Sequence, residues 1–580
     1  MLRFLLPLSG FVVSAAALTV IQPPAGASYL AWVAIVPFVL ACSASAKNST
    51  LAAASYVTGA AYWLGNIYWV GWVTQGGWIA LSLYLALLWP ALALCVRFCR
   101  KAKLPLTLSV PILFVGAERL QGLFLGGFFW RLLAHSQYAN LSLIQIADIF
   151  GAGGVSFLVA MVNGLIAEVV TIPAHKRTIP AGTLIRTALV LACAAASIVY
   201  GRWRIAQTAE VVEQGPAVAA VQSNVPQSVK NSCQASDRIL ADLLDKSSQS
   251  AAAGADLVVW PETMVQAVLD PRLLNMPGRG TYSAGAEYDK VLRGHAIKTG
   301  AYILVGAYGA EPARTDAGYI ELKRRYNSAF LYTPQGRQAD VQYDKIRLVP
   351  FGEKLPFRNS WPAFHNLLMK LTPYDYDYSL DSGSRYTLFE MSVAGKDLAR
   401  RYRFGAMICY EDAIPSIARR FADYKATEKG IHWLVNISND GWFIRPGGEG
   451  MTASTELVQH AVVCVFRAVE NRLAVVRSVN TGISCLIDTT GGITNGFSSG
   501  SLPGRALDRK AVEGWFLDRV PVDSRATFFS KHGRWLDFCC AACLVMLIMG
   551  MLTFAATGRR HRRAGRRSHD EAVESQGNKA

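Results

Sequence analysis

Seven apolar stretches crowd the N-terminal third of the chain, and an eighth lies near the other end. A helix crosses a bilayer with about 20 apolar residues, and the stretches run roughly 4–21, 29–46, 51–73, 77–98, 104–126, 152–173, 181–200 and 536–556. Nothing constrains the fold more. A chain built this way is not an ordinary cytosolic enzyme, a fibrous protein or a disordered one. Only 17% of its 580 residues are charged, against about a quarter in soluble chains. Almost every Asp and Glu falls between Arg202 and Arg534, where short β-rich runs and turn clusters replace the long apolar runs. The expected division is a membrane domain of seven helices over 1–201, a water-soluble α/β domain over 202–534, an eighth crossing over 535–557 and a basic tail over 558–580.

The net charge of +17 is distributed as topology requires. Lys47 follows the second stretch, Arg97, Arg100, Lys101 and Lys103 the fourth, Lys176 and Arg177 the sixth, and an Arg-rich tail the eighth. The connections on the other side, 22–28 and 74–76, carry no Lys or Arg, and 127–150 carries only Arg131. Excess Lys and Arg marks cytoplasmic loops, so both termini are expected inside and the large domain outside. This placement accounts for the basic charge without a nucleic-acid partner. Residues 1–27 also read as a secretory signal, whose cleavage would leave seven crossings and the large domain unmoved. Cys42, Cys95, Cys99, Cys193, Cys539, Cys540 and Cys543 fall in or beside the stretches and act there as small apolar side chains. Cys233, Cys409, Cys464 and Cys485 lie in the outer domain, match no zinc spacing, and could form a disulfide in an oxidising compartment.

Seven short apolar runs in that domain have the length and β-branched content of buried strands: 217–222, 256–260, 302–307, 328–332, 404–409, 433–437 and 473–477. Helical patterns at 236–252 and 452–472 lie between them. Reactive groups emerge where strands of such a fold end. Three ends carry chemistry: Asp256-Leu-Val-Val-Trp-Pro-Glu262, Tyr343-Asp-Lys345 continuing to Pro350-Phe-Gly-Glu353, and Phe404-Gly-Ala-Met-Ile-Cys409-Tyr-Glu411. A thiol attacks as thiolate, a carboxylate can take its proton, and an ammonium can stabilise the thiolate and the oxyanion that follows. Each residue alone is more often core or solvated surface.

Together, Trp260-Pro-Glu262, Lys345 with Pro350-Phe-Gly-Glu353, and Cys409-Tyr-Glu411 resemble the Glu–Lys–Cys set of the nitrilase superfamily. With the apolar stretches they resemble its membrane branch, the bacterial apolipoprotein N-acyltransferases. Further matching segments are Val221-Gln-Ser-Asn-Val-Pro-Gln227, Asn436-Ile-Ser-Asn-Asp-Gly-Trp-Phe443, His460 with Arg467-Ala-Val-Glu470, Asn480-Thr-Gly-Ile-Ser484, and, in the membrane part, Gly127-Phe-Phe-Trp130 with Ser136-Gln-Tyr138. The resemblance implies an αββα sandwich on a base of about eight helices. It implies Glu262 as general base, Lys345 as oxyanion-stabilising lysine, Cys409 as nucleophile, Glu353 and Glu411 as accessory carboxylates, and Tyr410 and Trp442 at the mouth of the site. It implies transfer of an sn-1 acyl group from a membrane phospholipid, through a Cys409 thioester, to the α-amine of a diacylated lipoprotein's N-terminal cysteine. The enzyme would sit in the inner membrane with its catalytic domain in the periplasm. No cofactor or metal is needed, and a monomer is the expected state.

Phe357, Trp361, Phe364, Leu368 and Leu371 recur at helical spacing behind Pro362, as an arm that either dips into the interface or packs on its own domain. Gly151-Ala-Gly-Gly154 lacks the Lys-Ser/Thr ending of a phosphate loop and reads as a site of close helix packing. Lys354-Leu355, the 443–460 loop, Tyr374–Tyr378 and the Arg-rich 400–403 segment depart from the family pattern without touching the three reactive residues. Two other readings stay open at this level: a tethered amidase that gives its acyl group to water, and an inactive polytopic receptor or scaffold.

Overall fold

The computed structural model describes residues 2–44, 46–123, 127–172, 179–230, 235–276, 283–316, 318–370, 378–393, 399–422, 430–447 and 450–554. The tail over 558–580, Lys176, Arg177, Cys233, Leu371 and residues 374–377 lie outside the described residues.

Among the described residues four helices are long and apolar enough to cross a membrane: Gln75–Lys101, Ala152–Val170, Ala181–Val211 and Trp535–Phe554. They correspond to the fourth, sixth, seventh and eighth stretches. The first stretch forms the helix Leu2–Val20. The third forms Asn48–Asn66, whose Gly, Ser, Thr and Asn residues dilute its apolar character, and the fifth forms a 16-residue helix, Leu106–Gln121. The fourth bends at Leu87 between Gln75–Ala86 and Leu88–Lys101. Pro90 explains the bend, because it cannot donate to residue 86 and its ring crowds that carbonyl.

The second stretch breaks into a turn, Ser28–Trp32, and a six-residue helix, Val36–Ala41. Its loosened backbone is satisfied by side chains rather than by water. Asn163 accepts from Ile35 N at 2.8 Å and donates to Ala31 O at 2.9 Å, and Ser14 Oγ accepts from Phe38 N at 2.8 Å. Irregular backbone buried away from water persists only where protein groups replace the missing bonds. The glycines of the 151–154 segment and its helix serve close packing, as expected. A Cβ on Gly153 would stand 1.9 Å from Asp537 Oδ1, and one on Gly164 2.3 Å from Leu106 O.

The outer domain is built on strands β1 (Val212–Gln222), β2 (Leu257–Val259), β3 (Tyr302–Arg314), β4 (Ile320–Tyr332), β5 (Gln338–Asp344), β6 (Leu388–Val393), β7 (Arg400–Ile408), β8 (Trp433–Ser438), β9 (Ile444–Gly447), β10 (Gly450–Ala453), β11 (Ala474–Val479), β12 (Cys485–Ile487), β13 (Ser499–Gly500) and β14 (Gly514–Asp523). One sheet runs β13-β14-β1-β2-β3-β4-β5 and the other β12-β11-β8-β7-β6, while β9 and β10 form a separate hairpin. Pairing is parallel at the centre of each sheet, β1–β2–β3 and β7–β8–β11, and antiparallel towards the edges. All seven runs expected as strands lie on strands. The antiparallel edges were not among them.

Side-chain alternation sets the layers. Val218, Ala220, Leu257, Val259 and Leu304 face the second sheet, while Ala219, Val221, Val258, Ile303 and Val305 face a second core with Ile239, Leu243, Leu292 and Ala296 of helices Ser236–Ala252 and Ser283–Thr299. Helices Pro415–Ala422 and Glu456–Asn471 pack on the outer face of the other sheet. The result is helix, sheet, sheet, helix. Burial of each Val or Leu side chain contributes roughly 1.5–3 kcal/mol before chain entropy is subtracted.

The base and the outer domain are joined by buried polar contacts. Arg472 donates to Asp148 Oδ2 at 2.8 Å, and Arg204 to the same oxygen at 2.8 Å. Ala152 N donates to Glu470 Oε1 at 3.0 Å, and Gln145 Nε2 to Thr490 O at 2.8 Å.

Candidate active site

Glu262 sits just past β2, where Trp260 anchors the turn by donating to Ser247 Oγ at 2.7 Å and Pro261 stops the strand. The turn lies flat on β3 because Gly306 is beneath it; a Cβ there would stand 2.5 Å from Pro261 O and 2.7 Å from Thr263 N. The next residue, Thr263, holds a left-handed φ of 47°. The Glu262 carboxylate is held on both oxygens, with room on Oε2 for a further donor. Oε1 accepts from Asn327 Nδ2 at 2.7 Å and Lys345 Nζ at 3.1 Å, and Oε2 from Asn439 N at 2.8 Å.

Lys345 follows β5 and is wholly buried. Its backbone N–H donates to Asn327 O at 2.8 Å. Its ammonium also donates to Glu353 Oε1 at 2.8 Å, and Glu353 in turn accepts from Asn327 Nδ2 at 2.8 Å and Val349 N at 2.8 Å. Burial works against the ammonium, but the Glu262 and Glu353 carboxylates outweigh it and hold the Lys345 pKa well above the ordinary lysine value. This lysine keeps its charge throughout the physiological range.

Cys409 follows β7 at a left-handed φ of 53°. A non-glycine residue held there is strained by about 1–3 kcal/mol and lifts its side chain off the strand line. Asn436 Nδ2 holds its carbonyl at 3.1 Å. Burial raises the thiol pKa, the Glu262 charge adds to the rise, and Lys345 opposes it. At rest the sulfur therefore carries its proton, with a base and a fixed cation in its electrostatic range.

Glu411 is an organiser of the site. It accepts from Ile346 N at 2.8 Å, Arg347 N at 2.9 Å, Ile408 N at 2.9 Å and Tyr343 Oη at 2.8 Å, so one carboxylate ties the lysine loop to the cysteine strand. Burial pushes its pKa up to about 7, against the pull of these donors. Tyr410 points the other way, into the helical base. Its hydroxyl donates to Gly127 O at 2.8 Å, and its ring stacks on Trp130 at 6.1 Å. Trp130 donates to Gln459 Oε1 at 2.8 Å. Trp442 is half-buried on the turn Asp440–Phe443, whose Phe443 packs on Trp69 at 5.1 Å. An aromatic seam thus runs from the base to the residue beside the thiol.

Two contributors went unread in the sequence, Asn327 and Lys230, and Asn439 stood in a matching segment without a role. Lys230 is buried and donates to Glu262 O at 3.1 Å and Thr263 Oγ1 at 2.7 Å. Burial lowers its pKa to about 8 despite the nearby charges of Glu262 and Cys409. Its position just after the Val221–Gln227 segment was the available signal. His460, like Asn439, stood in a matching segment without a role. Its Nε2 meets Asp412 Oδ1 at 3.0 Å, and its Nδ1 meets Glu456 Oε1 at 3.2 Å and Asp440 Oδ1 at 3.3 Å. Ligand atoms of Asp440, Glu456 and His460 lie within 4.8 Å of one another, a spacing that could admit a cation. Carboxylates on both ring nitrogens fit an imidazolium better: burial opposes the charge, but Asp412 and Asp440 raise the His460 pKa well above its usual value. Arg477 completes the cluster by donating to Asp412 Oδ2 at 2.7 Å. Among the described residues Cys409, Cys464 and Cys485 are free thiols.

The arm contains a helix, Pro362–Met369, with Phe357, Trp361 and Phe364 clustered at 4.9–5.4 Å between rings. Trp361 is 59% exposed and Leu367 54%, so its outer side lies open.

Residues 14–165 match the model of the apolipoprotein N-acyltransferase N-terminal domain, and residues 217–512 that of carbon-nitrogen hydrolases. The chain is 30% identical over 548 residues to an apolipoprotein N-acyltransferase of Geobacter metallireducens, covering 92% of each protein. It is 25% identical over 429 residues to one of Bdellovibrio bacteriovorus, covering 73% of this chain and 68% of that one. The two matched regions coincide with the helical base and the sandwich, and the chain belongs to the apolipoprotein N-acyltransferase family, as an acyltransferase whose outer domain has the carbon-nitrogen hydrolase fold.

Proposed function

We propose that this enzyme moves a fatty acyl group from the sn-1 ester of a membrane phospholipid to the α-amine of an S-diacylglyceryl-cysteine at a lipoprotein N-terminus. The observation that carries this reading is the buried Glu262–Lys345–Glu353 network within electrostatic range of the Cys409 thiol, with Tyr410, the next residue, packed on the helical base. Cys409 loses its proton to Glu262 as its sulfur bonds to the ester carbon, and Lys345 stabilises the oxyanion. The ester C–O bond breaks, and Glu262 returns the proton to the leaving lysophospholipid. The lipoprotein amine then attacks the thioester, the C–S bond breaks and an amide forms, with Glu262 relaying a proton from nitrogen to sulfur. A covalent intermediate makes the scheme ping-pong. Neither half needs a cofactor or metal.

Glu353 and Glu411 act as positioning carboxylates, and Tyr410 and Trp442 border the lipid-facing mouth. The membrane base crosses the inner membrane eight times, the broken and shorter helices included, and the sandwich faces the periplasm. That placement follows from the Lys and Arg distribution. Both substrates are then anchored in the layer beside the site, and the exposed Trp361 and Leu367 dip into the interface. Incubation with phospholipid and a diacylated lipopeptide tests the reading: N-acylated lipopeptide and lysophospholipid in equal amounts support it. Free fatty acid without N-acylated product overturns it in favour of water as acceptor.

A further inference from the structure

A cavity of 280 Å³ lies at the end of the base remote from the sandwich. It opens between the C-terminus of Leu88–Lys101, the start of Leu106–Gln121, the end of Ala152–Val170 and the start of Ala181–Ala206. The last of these helices has 26 residues, about 39 Å at 1.5 Å per residue, and its other end leads towards β1. The cavity is therefore separated from the catalytic face by the depth of a membrane.

Its walls carry Arg100, Lys103 and Arg186 against a single carboxylate, Glu168. Glu168 is already committed: it accepts from Leu106 N at 3.1 Å, Thr107 Oγ1 at 2.5 Å and Arg186 Nε at 3.0 Å. Arg186 also donates to Thr183 Oγ1 at 3.2 Å. Arg100 is different, because its Nη1 is enclosed and has no hydrogen-bond acceptor among the described residues. A buried guanidinium without a matching charge favours an anion beside it, and the exposed Lys103 and the part-exposed Arg186 are the donors that a phosphate oxygen in the cavity can reach. Leu104 and Leu106 border the same opening and give it an apolar flank.

We propose that this cavity binds the phosphate headgroup of an anionic phospholipid from the leaflet opposite the catalytic domain, with the acyl chains lying against Leu104 and Leu106. Basic pockets between transmembrane helices on the cytoplasmic side suit such headgroups. The proposal rests on the membrane-spanning reading above but not on the acyl-transfer chemistry, because the lipid held here never reaches Cys409.

Native mass spectrometry of the full-length protein from mixed micelles of phosphatidylethanolamine and phosphatidylglycerol tests it, with no acyl acceptor present. The wild type is expected to retain one phosphatidylglycerol more than the Arg100→Gln/Lys103→Gln double variant, whose affinity falls about tenfold or more. Lys103→Gln alone, at an exposed position, covers the case in which the double variant does not purify, and is expected to weaken retention to a lesser degree. High salt is expected to release the lipid from the wild type. Equal retention by wild type and variants, or equal retention of phosphatidylethanolamine, overturns the proposal. Displacement of the lipid by inorganic phosphate or glycerol phosphate at equal concentration would assign the site to a free anion instead. Labelling of Lys103→Cys by an impermeant maleimide from the catalytic-domain side would overturn the assigned leaflet, while acyl-transfer assays on the same variants report separately on the catalytic reading.

Discussion

Lys345 and Glu262 meet at 3.1 Å between Nζ and Oε1, with side chains 1% and 7% exposed, although 83 residues separate them in the chain. Glu353 closes the pair into a three-member cluster at 2.8 Å. Two carboxylates sharing one buried ammonium hold that ammonium charged and fix where it points.

Lys345→Met leaves both carboxylates without their cation. Breaking a buried ion pair in this way costs about 3–5 kcal/mol. The variant is expected to melt at a clearly lower temperature and to lose acyl-enzyme formation by a factor of about 100 or more. Thermal unfolding in detergent, alongside single-turnover acylation, checks both.

Glu411→Gln puts an NH2 group where the carboxylate takes two donors on each oxygen. Each buried donor left without an acceptor costs about 1–3 kcal/mol. Because those donors belong to the lysine loop and the cysteine strand, acylation is expected to fall even where the protein remains folded. A variant that folds and acylates at the wild-type rate would remove Glu411 from the positioning role.

The pH dependence follows from Lys230, whose pKa burial lowers from the ordinary lysine value to about 8. The folded protein releases this proton earlier than the unfolded chain does. Its contribution to stability therefore rises with pH between about 8 and the ordinary lysine value, and below that window it is a fixed penalty. Activity moves in the opposite direction, because loss of a cation near Glu262 and Cys409 disfavours the thiolate. The rate of acylation by phospholipid alone is expected to decline through about pH 8, and Lys230→Met is expected to be slow throughout and to lack that limb. An unchanged limb in the variant would assign it to another group.

The arm yields a separation of effects. Trp361→Ser with Leu367→Ser removes exposed apolar surface, so the stability to unfolding is expected to stay within about 1 kcal/mol of wild type. Acylation by vesicle lipid is expected to slow several-fold, while acylation by a short-chain soluble ester is unchanged.

Of the positions proposed to carry chemistry, Glu262 and Cys409 were legible because each ends a short apolar run, β2 and β7, whereas Lys345 follows the polar strand β5 and was legible only through the motif around it. The edge strands β6 and β13 and the neighbouring β14 were not read, because amphipathic or two-residue strands leave weak apolar signals. Asn163 could not announce from sequence that it would hold open the backbone of residues 31–35, 128 or more positions away. The same limit hid Asn327 and the role of Asn439, whose value comes from partners brought by other strands. Lys230 was missed for another reason: a lysine after a polar turn is ordinarily solvated, and only the tertiary fold buries it.

The central claim is that the Cys409 sulfur carries the acyl group between the two substrates. Intact-mass analysis after exposure to phospholipid, without lipoprotein, tests it most directly. A mass increase of one fatty acyl chain is predicted, removable by hydroxylamine and absent in Cys409→Ser. An unmodified wild-type mass in the presence of lysophospholipid product, or an adduct that persists in Cys409→Ser, would contradict it.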